Sequence, residues 1–514
     1  MMLADAVAAY VENLTERELD APLLAPLYRL GFDHVHLVHG QYEFGKDVIA
    51  RREEDDEVHQ YCLQSKAGDL TVGAWRDVAQ QIEAMRTGSV VHPDFDPALP
   101  RKLILVTNGR LKGAAAIEAQ DYNAYHVARG EASVEIWDID YLVPRFEAVL
   151  VEGVPAQDRA RTLEMLGRLG QGRGSVQDLR TYARPWFNDG LSATDRWGHV
   201  LNGAMLARAA ADTGREDLAA QIAFLLLRTS WETGAGPAQE AERDVARRLF
   251  RTHAANFWQA VREQDPVDLT TRSRSGLDSF VTHPVKAARL CEQLSLLGLF
   301  EYEHGDPTLA DEIAMYIGHF VDESPAVSHV VSDDWAFSVL STTVLLMRSG
   351  RVDVARAVLR EAAVWTLDWI EYGSGLAHAG DPASEAVKRL LGPAYPTLRT
   401  ATDPSSYTLT VVLDLAYVFG FRDLYEDLVN DLDAVGAMAT VIFERALDDA
   451  ELLARVHYSV ADDPPADHHT APLDGSPAGA AAAWFDCFAR WATLRDRHTP
   501  SVVHAIVGPL GRSR

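Results

Sequence analysis

The chain has 514 residues, 47% hydrophobic and 24% charged, which excludes a disordered or fibrous protein and points to two or three folded domains. Its 48 Lys and Arg stand against 75 Asp and Glu, a formal net charge of -27 that excludes a general electrostatic grip on phosphate backbones and confines any nucleic-acid contact to a local surface. Cys62, Cys291 and Cys487 lie far apart without paired spacing, which argues against a disulfide framework or zinc knuckle, and the start from Met1 to Leu14 lacks a basic segment before an apolar run; a cytoplasmic protein without membrane insertion is expected.

The pattern predicts a first helix over Thr15 to Leu30, closed by Gly31 as a C-cap, with Pro22 and Pro26 implying a kink or a shorter helix. Five strands follow: Val35 to Val38, Asp47 to Ala50, Tyr61 to Gln64, Leu103 to Thr107 and Val134 to Trp137. Helices over Val72 to Arg86 and Ala114 to Ala128 fall between the later strands, so residues 1–152 read as an α/β domain. Asn108-Gly109 reads as a turn at a sheet end, and Lys46, His34 and His36 read as solvated.

Residues 153–514 read as a large all-α domain of helical hairpins, solenoid-like or a bundle. Four segments share an apolar helix, a Gly, a polar pair and a second apolar helix, with glycines at Gly214, Gly305, Gly350 and Gly420, each expected to supply a left-handed cap. Their intervals of 91, 45 and 70 residues suit a degenerate repeat of loosely tetratricopeptide-like hairpins. Asp333-Asp334-Trp335 reads as a helix start with acidic caps and a packed Trp335, Asp462 to Pro477 as an exposed loop holding solvated His468 and His469, and a last helix begins near Ala480.

Chemistry concentrates in Gly45-Lys46-Asp47-Val48-Ile49 and Gln64-Ser65-Lys66, with a spacer of 16 residues between Asp47 and Gln64. The charged stretch Arg51 to Glu57 suits a hairpin tip between adjacent strands, and strand alternation turns Gln64 and Lys66 to one face. Asp47 offers a hard oxygen ligand to Mg²⁺ or Mn²⁺, the Gln64 oxygen completes the shell, and the Lys66 ammonium positions a water or offsets charge on a phosphate. Glu43 is a further candidate ligand.

These residues resemble the PD-(D/E)xK nuclease superfamily, in its Mrr-like restriction-endonuclease branch where Gln replaces the second acid. The resemblance covers about residues 15–150 and extends to Leu19-Asp20 ahead of Leu30-Gly31-Phe32, Ala67-Gly68, Val78 to Ile82, Val106 to Gly109 and Ile136 to Asp138. It implies a restriction-endonuclease-like domain over 1–152 with Asp47, Gln64 and Lys66 as catalytic residues and an upstream acid at Asp20, with Glu16 and Glu18 as alternatives. It further implies a metal-dependent endonuclease acting on nucleic acid, DNA before RNA, as the effector of a restriction or anti-phage defence system. The helical domain would then sense, oligomerise or bind a defence-system partner. The competing reading is an inactive nuclease-fold adaptor, or a nuclease for RNA or branched DNA.

Overall fold

The computed structural model describes residues 2–38, 46–54, 56–149, 159–187, 191–232, 237–271, 276–373, 375–378, 381–395 and 403–439. The chain divides into two compact units, Met1–Gly174 with Gly190–Thr213, and Ser175–Asp189 with Gly214–Arg514.

The first unit opens with α1 (Met2–Glu12) and α2 (Glu16–Arg29). Both prolines lie inside α2, which nevertheless runs unbroken. Leu19, Leu23 and Leu27 are buried along one stripe, Thr15 and Glu18 form a capping box at its start, and Gly31 takes a left-handed φ of 83° beyond its end. Tertiary burial thus offsets the two missing amides.

The sheet strands are β1 (Asp33–Leu37), β2 (Val48–Glu54), β3 (Glu57–Lys66), β4 (Arg101–Thr107) and β5 (Val134–Trp137), in the spatial order β1-β2-β3-β4-β5. β1, β2 and β3 pair antiparallel, while β3, β4 and β5 pair parallel. Parallel neighbours need a crossover, supplied by α3 (Val72–Thr87) and α4 (Ala115–Val127). On one face Ile49, Cys62, Leu103 and Leu105 pack with Trp75, Val78, Ile82 and Met85 of α3 and Ala115 and Ala119 of α4. From the rest of the sheet, Tyr61 meets Phe32 edge-on at 4.8 Å, and Phe32 lies 6.1 Å from Trp137. β3 is therefore buried continuously from Gln60 to Ser65, as a central strand covered on both faces should be.

The chain continues through α5 (Ile139–Ala148), α6 (Arg159–Gly170), α7 (Val176–Ala183) and α8 (Ala193–Asp212). α8 packs on α1 and α6, so the first unit reaches well past the composition shift expected to end it at residue 152. From Trp197 to Ala207 every residue of α8 is buried, which is why its apolar composition resembles that of the helical part.

The second unit contains α7 and then α9 (Glu216–Glu232), α10 (Pro237–Val261), α11 (Pro266–Thr271), α12 (Gly276–His304), α13 (Pro307–Glu323), α14 (Ala336–Arg348), α15 (Val352–Glu371), α16 (Ala383–Leu391), α17 (Tyr407–Val418) and α18 (Arg422–Val435). The pairs α9/α10, α12/α13, α14/α15 and α17/α18 are hairpins in contact. Their first helices touch in the order α12, α14, α17 and their second helices in the order α13, α15, α18, so the last three hairpins stack. None of the described helices is long and apolar enough to cross a membrane.

Three of the four hairpin glycines act as expected: Gly214, Gly350 and Gly420 have φ of 75°, 76° and 74°. After α14, the Arg351 amide bonds the Leu346 carbonyl at 2.9 Å, and after α17 Phe421 does the same to Ala416, which satisfies carbonyls orphaned at the helix ends. Gly305 differs. It has no left-handed backbone; a Cβ there would stand 1.7 Å from Oε2 of Glu301. The Glu301 carboxylate needs that space because it accepts a bidentate pair from Arg251 at 2.8 and 3.0 Å and the Asp306 amide at 2.7 Å.

Asp333 does not cap its own short 3₁₀ turn. Its buried carboxylate instead accepts from Tyr407 N, Thr408 N, the Ser406 hydroxyl and the Thr408 hydroxyl at 2.7–2.9 Å, capping α17 from far away in sequence. Trp335 beside it is half-buried. Cys62 and Cys291 are free thiols, both buried. The expected 462–477 loop, its His468 and His469, the final helix and Cys487 lie outside the described residues.

Candidate active site

The end of the β2/β3 ladder builds the site. Pairing runs from Glu54 and Glu57 at the hairpin tip to Val48 and Leu63, and one more backbone bond joins Asp47 N to Leu63 O at 2.9 Å. Beyond it the Ser65 amide finds the Asp47 carboxylate, donating to Oδ2 at 2.7 Å, and Gln64 Nε2 donates to the same oxygen at 2.6 Å. Asp47 and Gln64 are therefore in direct contact, with Lys66 two residues along Gln64's face.

α2 closes the cluster. Its first turn places Glu16 Oε1 2.8 Å from Lys66 Nζ, and one turn later Asp20 is buried at 2% exposure. Residues four apart share a helix face, so both acids are delivered together. Asp47 responds to this company: burial pushes its carboxyl up to about 6, partly offset by the Ser65 amide, while the charges of Asp20 and Glu16 raise it and Lys66 lowers it.

The three alternatives for the upstream acid separate. Glu18 is committed elsewhere, accepting from Thr15 N at 2.9 Å and from the Thr194 hydroxyl at 2.6 Å, and the latter bond leads in holding its carboxyl below the usual range. Glu16 and Asp20 both stand at the cluster. Glu43 lies outside the described residues. Lys46, expected in solvent, is fully buried, its ammonium 5.9 Å from the Phe95 ring centroid and pushed down to about 8 by that burial.

Asn108 and Gly109, legible only as a turn, hold the backbone that leaves Lys66. The Asn108 side chain accepts the Gly68 amide at 2.6 Å and donates to the carbonyls of Val11 and Leu14 at 2.8 and 2.7 Å, while the Thr107 hydroxyl donates to Gly68 O at 2.8 Å. A Cβ on Gly109 would stand 2.2 Å from the Gly68 carbonyl carbon, so glycine is required for this close approach.

Asp47, Asp20 and Gln64 are the residues here that could hold a hard divalent cation. Asp20 is close enough for its charge to act on the Asp47 carboxyl, both side chains are buried, and Oε1 of Gln64 is buried with no hydrogen-bond partner among the described residues. An amide oxygen left so is costly unless something coordinates it, and oxygen donors of this kind suit Mg²⁺ or Mn²⁺. Set against known proteins, the chain matches no family model, no curated protein and no solved structure.

Proposed function

We propose that the first unit is a divalent-metal-dependent nuclease that cleaves phosphodiester bonds, with double-stranded DNA as its principal substrate, and that it serves as the effector of a restriction or anti-phage system. The observation that carries this reading is the meeting of Asp47, Gln64, Lys66 and the two α2 acids at one strand end, in the order along the chain that the nuclease resemblance implies. The role in defence rests on analogy with such nucleases joined to helical modules.

A bound Mg²⁺ or Mn²⁺ would supply charge neutralisation at a phosphate oxygen and a water of lowered pKa. Asp47 and Asp20 would hold it, with the Gln64 amide oxygen beside them. Lys66 reaches the same place with an ammonium that donates to a non-bridging oxygen as charge builds there. Before substrate arrives Glu16 holds that ammonium in position, and the phosphate then takes its place. In the second unit, stacked hairpins offer the kind of extended surface on which partner or self-association is built.

The test is nicking of supercoiled plasmid, with linear duplex, single-stranded DNA and RNA in parallel, in Mg²⁺ or Mn²⁺. Asp47→Asn and Lys66→Ala should each lower the rate on the order of a hundredfold or more while circular dichroism is unchanged. Loss of RNA alone would redirect the substrate. Undiminished cutting by Lys66→Ala, or none by the wild type on any polymer, would overturn the assignment.

A further inference from the structure

A second cluster of ligating groups lies on the edge strand β1. We infer that His34, His36 and Asp94 form a binding site for a transition-metal dication of the Zn²⁺ class, independent of the nuclease reading. His34 Nδ1 lies 2.9 Å from Asp94 Oδ1, and His36 Nε2 lies 2.8 Å from Asp94 Oδ2. One ligating atom from each residue falls within 4.8 Å of the others.

The backbone is shaped to make this convergence. Two residues of regular strand span about 6.6 Å, a spacing that two same-face imidazoles can bridge only by leaning toward one another. β1 carries one extra residue against β2 between Asp33 and His36, and His34 has a left-handed φ of 46°, unusual for any side chain but glycine. Together the bulge and the turned residue bring both rings to a single carboxylate. Asp94 is fixed from its own side, its amide donating to His92 Nδ1 at 3.1 Å while the His92 ring packs 4.5 Å from that of His36.

Metal–nitrogen lengths of about 2.0–2.1 Å in a tetrahedron put neighbouring donors about 3.3 Å apart, and here each imidazole lies 2.8 or 2.9 Å from one of the two Asp94 oxygens, with one ligating atom of each residue inside 4.8 Å of the others. Three protein donors leave a fourth position for water. Two imidazoles with one carboxylate select Zn²⁺, Co²⁺ or Ni²⁺ over Mg²⁺, in contrast to the all-oxygen cluster at Asp47. Bound there, the ion would tie β1 to the segment 88–100 between α3 and β4.

The experiment titrates Zn²⁺ into metal-free full-length protein by calorimetry, with Co²⁺ absorption as a second readout. Wild type should bind one equivalent more than His36→Gln and Asp94→Asn, with affinity at that site falling at least on the order of 10–100-fold in each. Asp47→Asn should keep the equivalent, and excess Mg²⁺ should not displace it. Imidazole-type Co²⁺ bands should vanish in both cluster variants. Equal stoichiometry in wild type and both cluster variants, or loss of the equivalent in Asp47→Asn instead, would overturn the assignment. Matched melting of the metal-free proteins separates lost binding from lost folding, and His34→Gln supplies a third variant if one fails to fold.

Discussion

Around the Asp47 carboxylate stand those of Glu16 and Asp20 and the ammonium of Lys66, with Asp47 and Asp20 buried. One positive charge cannot offset three negative ones, so without a cation the folded state holds repulsion that the unfolded chain relieves. A site arranged for binding is in this way arranged against stability. Replacing Asp47 by Asn keeps an acceptor for the Ser65 amide and removes a charge. In EDTA, Asp47→Asn should therefore melt higher than wild type by on the order of 1 kcal/mol, roughly 2–4 °C. Adding Mn²⁺ should raise the wild-type midpoint and leave the variant nearly unmoved. Scanning calorimetry of both proteins, with and without the ion, decides it; a wild type already more stable in EDTA would mean that the acids do not repel.

At the level of helices and strands, His378 links parts of the second unit that are distant in sequence. Its Nε2 meets Asp403 at 2.6 Å and its Nδ1 faces Asp333 at 3.7 Å, the same Asp333 that caps α17. The facing Asp333 carboxylate and the hydrogen bond to Asp403 push the imidazole up to about 10, against desolvation. A folded pKa above the unfolded value near 6.5 means that the clasp contributes fully below pH 6.5, weakens above it and is gone once pH passes about 10. His378→Gln should lower the midpoint of the helical unit by a few degrees at pH 6, with the gap closing toward pH 10; a gap constant across that range would show the charge to be irrelevant.

Local rules had shown only part of such arrangements. Period-two alternation sufficed to put Gln64 and Lys66 on one face, since that depends on nearest neighbours alone. Which acid reaches Lys66 depends on how α2 crosses β3, and no local pattern encodes that. The burial of Lys46 was hidden for the same reason: the strand ends in a bend at Asp47, and the preceding lysine lies near Phe95. Gly305 shows the converse, a glycine whose cause is a buried carboxylate four residues earlier and not the turn it resembles.

For the chain as a whole, the formal charge of -27 sets the terms on which it can meet a polyanion. Proteins that bind duplex DNA without regard to sequence do so by displacing counterions with Lys and Arg, and reach dissociation constants of about 10⁻⁴–10⁻⁶ M at physiological salt. Here the candidate site itself presents Glu16, Asp20 and Asp47, so phosphate is repelled both at long range and at contact until a dication intervenes. Binding and metal loading should accordingly be one linked event. In EDTA, fluorescence anisotropy with a labelled duplex should give a dissociation constant weaker than about 10⁻⁴ M, with a shallow dependence on salt. Ca²⁺, an oxygen-seeking dication suited to binding measurements, should tighten it at least about tenfold in wild type but not in Asp47→Asn. Micromolar affinity in EDTA with a steep salt slope would instead reveal a basic surface strong enough to act alone, and the acidity of the chain would then have no part in restraining it.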